Sequence, residues 1–227
     1  MNKLYILIAL TISFTVSAQI ATTGTSNSGL NASAIGFNTT ASNTVSTAMG
    51  RETLASGVSS TAMGYQTKAT NTAATAMGNN STASGVTSTA MGNNSTASGE
   101  TSIAMGFETE ATYSASIAMG YQTSSTEGAS TAMGFQTTAS GFGSTSIGYQ
   151  TTASGYGSTS IGYQTAASGN SSTAIGKNTI ASDFGSLVIG QYNLGGATVT
   201  YSATEANYAN TAFVIGNGTA SNAKSDA

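Results

Sequence analysis

Residues 131–148 read TAMGFQTTASGFGSTSIG, and in this stretch Gly134 and Gly148, each preceded by Met or Ile, lie 14 residues apart. Twelve glycines keep this spacing without a slip. These repeat glycines are Gly36, Gly50, Gly64, Gly78, Gly92, Gly106, Gly120, Gly134, Gly148, Gly162, Gly176 and Gly190. A period of 14 residues is too short for a helical repeat and too regular for a linker, but it fits one coil of a parallel β-solenoid. The spacing therefore predicts an all-β fold.

Composition narrows the classes of function. The 227 residues carry a formal net charge of −3, only 6% of them are charged, and Cys, His, Pro and Trp are absent. A chain so rich in Ser, Thr, Ala and Gly resembles a disordered tract, but disorder would not keep these residues in phase with the glycines. The small charge gives no reason to expect a nucleic-acid partner. Without His, Cys or a phosphate-binding loop, we expect no enzyme activity, cofactor or metal site.

The N-terminal segment, residues 1–18, has the pattern of a secretory signal peptide. Lys3 supplies a positive charge, residues 4–16 are mostly apolar but too few for a stable membrane anchor, and residues 16–18 form a small-residue cleavage site. We therefore expect secretion across the inner membrane. In the mature chain, we expect residues 19–28 to form an N-terminal lead-in to the repeats. An uncleaved N-terminal anchor is the alternative.

Positions within a coil are counted here from the repeat glycine. The third position is nearly always Thr or Ser, the fifth is usually Ala, and the tenth is usually Ser. Alternation predicts a first strand of the form Thr-x-Ala and a second of the form Ser-Thr-Ala-Met. Gly or Asn, as at Gly85 and Asn71, should form the turn between them with positive φ. The repeat glycine should mark a turn or a close approach of two backbones.

The predicted core is thin, because each coil offers mainly Ala, Thr and one Met or Ile. At roughly 25 cal/mol per Å2, so little apolar burial barely offsets the chain entropy. The Ala row and the Met/Ile row of the second strand must face opposite sides, so that one row fills the coil and the other faces outward. Self-association is the remaining way to stabilise such a coil without disulfides. The pattern leaves open which row faces outward.

The repeat resembles the head of trimeric autotransporter adhesins of the YadA type. Matching stretches are Ser33–Gly36, Ser102–Gly106 and Ser172–Thr179, and the resemblance covers residues 29–190. It implies a left-handed parallel β-roll of 14-residue coils, assembled as a homotrimer. It also implies a rod on the bacterial cell surface that attaches to extracellular matrix protein, glycan, a cell-surface receptor or other bacteria. Nothing in the resemblance implies a cofactor.

The C-terminal region, residues 191–227, breaks the rhythm. The motif Phe213–Gly218 places Gly216 26 residues after Gly190, not 14. We expect an irregular cap or neck here. The segment weakly resembles the junction that leads into a trimerisation or self-cleaving chaperone region in bacterial and phage fibre proteins, so we expect the natural chain to continue.

Candidate binding residues are aromatic. The first group follows the repeat glycine in five successive coils and should stack as an aromatic ladder, either as a sticky stripe or simply as a stabilising stack: Phe107, Tyr121, Phe135, Tyr149 and Tyr163. The second group lies at the eighth position, in a turn: Phe142, Tyr156 and Phe184. The acids are expected to be solvated surface residues: Glu52, Glu100, Glu108, Glu110, Glu127 and Asp183. Glu108 and Glu110 share a strand face that could hold a calcium ion, but no other ligands converge there.

Two other functions compete with adhesion. Thr-rich solenoids can bind ice, but here the regular Thr at the third position is paired with Ala at the fifth, and bulky aromatics interrupt the surface. The shaft of a phage-like fibre is the other alternative, and a glycan-cleaving version of it would need an acidic pair in a cleft, which the sequence lacks.

Overall fold

The computed structural model describes residues 23–194 and 202–227, so the predicted signal peptide lies outside the described residues. Each coil contributes one five-residue strand and one two-residue strand. The long strands are β2 (Ser33–Phe37), β4 (Thr47–Arg51), β6 (Thr61–Tyr65), β8 (Thr75–Asn79), β10 (Thr89–Asn93), β12 (Ile103–Phe107), β14 (Ile117–Tyr121), β16 (Thr131–Phe135), β18 (Thr145–Tyr149), β20 (Thr159–Tyr163), β22 (Thr173–Lys177), β24 (Leu187–Gln191) and β25 (Phe213–Asn217). The short strands are β1 (Ser26–Asn27), β3 (Thr40–Ala41), β5 (Leu54–Ala55), β7 (Lys68–Ala69), β9 (Thr82–Ala83), β11 (Thr96–Ala97), β13 (Glu110–Ala111), β15 (Ser124–Ser125), β17 (Thr138–Ala139), β19 (Thr152–Ala153), β21 (Ala166–Ala167) and β23 (Ile180–Ala181).

The strands form two parallel sheets that run the length of the solenoid. The long strands pair in chain order into a 13-stranded sheet, and the short strands pair into a 12-stranded sheet. The register is constant, so that each residue of a coil lies beside its counterpart in the next coil, as Gly120 lies beside Gly134 and Tyr121 beside Phe135. The predicted all-β parallel solenoid with 14-residue coils is confirmed.

The repeat glycine lies inside a long strand and not in a turn. Gly134 is the fourth of the five residues of β16 and has a φ of +129°, a conformation that residues with a side chain rarely adopt. A Cβ atom there would also overlap the carbonyl oxygen of Gly148 in the next coil. Of the two predicted alternatives, a turn or a close approach of two backbones, the close approach is therefore confirmed. The long strand extends past the glycine because glycine lets the backbone remain paired there.

The turns also differ from the prediction. Gly85 and Asn71, at the seventh position, do not have positive φ; a Cβ on Gly85 would overlap the backbone of Gly99 in the next coil. Positive φ occurs instead at the second and ninth positions, which mostly hold residues other than glycine, such as Gln136 at +52° and Ala129 at +54°. Each such residue costs roughly 1–2 kcal/mol. The uniform pairing of the coils holds the backbone in this conformation.

The interior is built from four rows of small residues. Thr or Ser at the third position, Ala at the fifth, Ser at the tenth and Ala at the twelfth are almost all fully buried. Alanine accounts for most of the apolar core: Ala34, Ala41, Ala48, Ala55, Ala62, Ala69, Ala76, Ala83, Ala90, Ala97, Ala104, Ala111, Ala118, Ala132, Ala139, Ala153, Ala167, Ala174 and Ala181. The Met/Ile row therefore faces outward and the Ala row fills the coil, which decides between the two arrangements that the sequence leaves open.

Buried hydroxyl groups fall into two classes. Serine at the tenth position closes its own turn in most coils, as when Ser60 Oγ donates to the carbonyl oxygen of Gly57 at 2.8 Å. Most threonines of the third position have no such partner. The buried hydroxyl groups without a hydrogen-bond partner among the described residues belong to Thr39, Thr53, Thr67, Thr123, Thr137, Ser158, Ser172 and Thr179. An unpaired buried hydroxyl destabilises a fold, so this row lowers the stability of the rod.

The solenoid extends beyond both predicted boundaries. At the N-terminal side, β1 already pairs with β3, so the coils begin before residue 29. At the other side, β25 pairs in register with β24 and places Gly216 beside Gly190, despite the insertion between them. Residues that follow β25 then bond back to the last coil, as when Asp226 Oδ1 accepts the amide of Leu194 at 2.8 Å. In the described residues, no helix is long and apolar enough to span a membrane.

Asp183 is not the solvated acid that the sequence suggests. It is buried at the seventh position, where glycine stands in several other coils. Its Oδ2 accepts the amide of Thr211 at 2.7 Å, and its carbonyl oxygen accepts the hydroxyl of Ser186 at 2.9 Å. Asp183 therefore fastens the C-terminal segment to the last regular coil.

Candidate binding surface

The aromatic ladder forms as predicted. The five rings lie at the C-terminal ends of β12, β14, β16, β18 and β20, and adjacent ring centroids are 4.9 Å apart throughout. Adjacent ring planes deviate from parallel by 7° at most. Because the coils stack in register, an aromatic residue at the same position of successive strands has this arrangement imposed on it. The stack stabilises the rod, and it also creates a continuous feature on the surface.

Ring edges, and not ring faces, are what the ladder offers to a ligand. Tyr121, Tyr149 and Tyr163 are 40%, 38% and 43% exposed, whereas Phe107 and Phe135 are half-buried. The faces of the three inner rings are covered by their neighbours on both sides. A ligand would therefore contact a strip of ring edges, and tyrosine hydroxyl groups could add hydrogen bonds.

The same position holds a cation in two coils outside the ladder, and on the N-terminal side Asn79 and Asn93 separate the ladder from Tyr65. Arg51 lies between the rings of Phe37 and Tyr65, with its Cζ 5.7 Å and 5.4 Å from their centroids. At the other end, Lys177 Nζ lies 5.9 Å from the centroid of Tyr163. Cations over ring faces are favourable contacts. Sequence reasoning missed these residues, although each follows a repeat glycine and the period would have placed them in the column.

A row of polar side chains runs beside the ladder at the second position. Gln122 Nε2 donates to Glu108 Oε2 at 2.7 Å, and Gln136 donates to Gln122 at 2.9 Å. Gln150 and Gln164 continue the chain, each donating to the amide oxygen one coil earlier at 2.8 Å. This amide row was also missed, although its residues recur at a fixed offset from the glycines. The combined surface is an apolar strip bordered by aligned amides.

The second aromatic group is smaller than predicted. Phe142 and Tyr156 stack at 5.4 Å and are 50% and 59% exposed, the most prominent rings of the repeat region apart from Tyr113. The ring of Phe142 lies directly over Gly128, where a Cβ would come within 2.9 Å of it. Phe184 is half-buried, and its amide donates to the carbonyl oxygen of Ser202. Two of the three residues therefore form the protruding pair.

The comparison with known families agrees with this geometry. The YadA head domain repeat matches residues 28–53, 55–81, 83–109, 139–165 and 167–193, more than half of the chain. The chain belongs to the YadA head family. Among curated proteins, no match was found.

Membership of the YadA head family gives the coarse function. Proteins of this family act as trimeric autotransporter-type adhesins, are normally exposed on the cell surface and are typically not enzymes. Two of the acids make polar contacts with neighbouring side chains. Glu108 is used by the amide row, Glu52 pairs with Arg51 at 3.2 Å, and no group of three or more potential metal ligands exists among residues 23–194 and 202–227.

The outer face of the large sheet carries the apolar rows of this YadA head. The Met/Ile row is half-buried along most of the rod, and Ile175 is 39% exposed. The eleventh position, two residues earlier, faces the same way and holds Thr in most coils but Ile103 and Ile117 in the middle ones. A long face of Met, Ile and Thr is an unusually apolar surface for a single soluble chain.

The outer face of the small sheet is formed by other rows than the third and fifth positions, on which the sequence-based case against ice binding depends. Both of those rows are buried. The outward rows are the fourth and sixth, and both are rich in hydroxyls, as in Thr82 with Ser84 and Thr138 with Ser140. Leu54, interrupting this array, shows that it is not continuous along the rod. The pairing of Thr with Ala at the third and fifth positions therefore does not count against ice binding, because neither row faces the solvent.

Proposed function

We propose that this YadA head is the adhesive part of a homotrimeric rod on the bacterial surface. Residues 1–18 would direct export, residues 191–227 would form the cap or neck that joins the head to the rest of the molecule, and the head would not catalyse a reaction. The observation that carries the proposal is the constant register: the aromatic residues of five successive coils lie beside one another in a row along the rod. A ligand that contacts one coil meets similar chemistry one coil away, so weak contacts add by multivalency.

The outward Met/Ile row supports self-association. In seven consecutive coils the Met residue of this row is half-buried. Packing against copies of the same chain would remove the exposed part of this apolar row from water. The family supplies the number three. Met105, in the middle of this row, is the residue to test, and the trimer axis would lie on its side of the coil.

Replacing Met105 with Glu should dissociate the trimer, because a carboxylate would be buried against two partner chains. The matched control is Thr96→Glu on the small sheet, at a position that holds Glu110 in the next coil. Light scattering should give a trimer for the original chain and for Thr96→Glu, and a smaller mass for Met105→Glu. A trimer that survives Met105→Glu unchanged would place the interface elsewhere.

The ligand is expected to be a matrix protein, a glycan or a cell-surface receptor, bound along the aromatic positions. The contact residues proposed are Phe107, Tyr121, Phe135, Tyr149, Tyr163, Phe142 and Tyr156. Phe135→Ser should weaken attachment to immobilised matrix proteins or glycans only partially, since the neighbouring coils still bind.

A triple variant tests the distributed site. Replacing Tyr121, Phe135 and Tyr149 together with Ser should weaken attachment far more than Phe135→Ser alone, while Thr96→Glu should leave it unchanged. Light scattering must show the same assembly in every variant. Complete loss from Phe135→Ser alone, with assembly intact, would indicate one local pocket and contradict the distributed site.

Ice binding remains a second candidate because of the hydroxyl rows of the small sheet. Ser124, Thr138 and Thr152 are followed two residues later by Thr126, Ser140 and Ser154, so three successive coils present paired hydroxyls. A thermal hysteresis measurement decides this point. Hysteresis that disappears in Thr138→Lys, and not in Met105→Lys, would favour ice binding; no hysteresis would remove it.

A further inference from the structure

Tyr149 and Tyr163 form the only stacked pair of tyrosines among the described residues. Their ring centroids are 4.9 Å apart and their planes differ by 3°. In the other stacked pairs of the described region, one member is always phenylalanine. The two phenols of this pair belong to successive coils and are held side by side by strands that pair residue for residue.

The pair is accessible to oxidants. Tyr149 and Tyr163 are 38% and 43% exposed. Tyr163 has Lys177 over its other face and Tyr149 has Phe135, so neither ring has a second phenol as a stacking neighbour. An oxidised Tyr149 ring therefore has one stacked phenol within reach, that of Tyr163.

We propose that Tyr149 and Tyr163 are a site of oxidative cross-linking that joins two coils through a dityrosine bond. A one-electron oxidant, such as a haem peroxidase with hydrogen peroxide, removes one hydrogen atom from each phenol. The two ring radicals then couple through a new carbon–carbon bond between ortho carbons, and each ortho hydrogen moves as a proton to its own phenolic oxygen, so that both rings regain aromaticity and both hydroxyl groups are restored. In total, the two tyrosines lose two hydrogen atoms and one peroxide molecule is reduced to two waters.

Such a bond would act as a covalent staple in a chain that has no cysteine. It would close a loop of one coil and connect β18 to β20 at the exposed end of the strands. Because the cross-link lowers the conformational entropy of the unfolded chain, it would stabilise these coils against unfolding, as a disulfide does. The link lies within one chain, so the rod would be strengthened without being joined to its neighbours.

The test uses the full chain treated with hydrogen peroxide and a haem peroxidase. Dityrosine fluorescence should appear, and mass spectrometry of the digested protein should show the peptides of Tyr149 and Tyr163 joined, with the loss of two hydrogens. Tyr149→Phe and Tyr163→Phe should each abolish both signals. Phenylalanine already occupies other places in this ladder, so these variants retain the stack.

Two further variants separate geometry from general reactivity. Tyr121→Phe should retain the full signal, because Tyr121 stacks only on Phe107 and Phe135. Phe135→Tyr combined with Tyr163→Phe should restore the cross-link, since it again gives Tyr149 a stacked phenol. The proposal is overturned if Tyr163→Phe retains the wild-type signal, if the double variant gives none, or if the products are only single-ring oxidation or links between chains.

Discussion

Thr137 and Thr151 occupy the same position of adjacent coils but should respond oppositely to the same substitution. Both are fully buried at the third position. The hydroxyl of Thr137 has no hydrogen-bond partner, whereas Thr151 Oγ1 lies 2.7 Å from Ser146 Oγ. Valine has nearly the shape of threonine and lacks only the hydroxyl group. We therefore expect Thr137→Val to stabilise the head and Thr151→Val to destabilise it.

The change in the free energy of unfolding depends on which buried hydroxyl group remains without a partner in each variant. Removing an unpaired buried hydroxyl recovers its desolvation cost, roughly 1–3 kcal/mol. Removing Thr151's hydroxyl abolishes a hydrogen bond and leaves Ser146 buried and unpaired, which costs about the same amount with the opposite sign. In a domain of this size, each 1 kcal/mol moves the unfolding midpoint by about 2–4 °C. The two variants should therefore differ by several degrees.

Thermal unfolding followed by circular dichroism measures both variants against the original chain. The control is the double variant Ser146→Ala with Thr151→Val, which removes both partners and restores the alanine that most coils have at the twelfth position. It should recover most of the loss caused by Thr151→Val alone. If Thr137→Val and Thr151→Val shift the midpoint in the same direction, the pairing of these hydroxyls does not govern their contribution.

Four further substitutions test three other parts of the structure. Gly134→Ala should lower the free energy of unfolding by roughly 4 kcal/mol or more, because its Cβ meets backbone, whereas Gly143→Ala, with φ +65° and open space, should cost roughly 1 kcal/mol in the same denaturant titration. Asp183→Ala should speed hydrogen exchange at the amide of Thr211 while leaving the central coils protected; unchanged exchange would show that this contact does not hold the C-terminal segment. Gln136→Ala breaks two exposed amide contacts and should move the unfolding midpoint by less than Thr151→Val does, since exposed groups bond to water instead.

The regular spacing of Gly134 and its counterparts was enough to predict the parallel solenoid and the aromatic ladder. Both depend only on residues recurring at the same position of a coil, which a sequence shows directly. The turns could not be predicted in the same way. The sequence predicts positive φ at Gly85 because glycine tolerates that conformation. In the structure, glycine is required there because a Cβ atom would overlap the backbone of the next coil. The positive φ occurs instead at residues such as Gln136. The conformation there follows from the pairing between coils, which local propensity does not contain.

The direction of the outer rows was equally hidden from sequence. Alternation shows that Ala132 and Met133 face opposite sides, but only the width of the coil decides which residue is inside. The side chains of the third, fifth, tenth and twelfth positions all point into one narrow interior. Alanine, serine and threonine fill this space, and methionine does not fit. The alternation is local, whereas the width depends on both strands together. Asp183 lies at the seventh position, outside these four rows, and its carboxylate accepts the amide of Thr211, a contact that its acidic side chain alone does not indicate.

A core this narrow explains where the molecule can vary. The interior positions accept almost nothing larger than threonine, and the repeat glycines accept no side chain, so these rows carry the fold and cannot carry specificity. The first, second and eighth positions have no such limit: within this one chain, the first holds Phe37, Arg51 and Asn79 in different coils. A change at one of these positions alters a single step of the surface and leaves the pairing of the coils intact. Changes of affinity in such a rod should therefore come from the number and order of these side chains along its length.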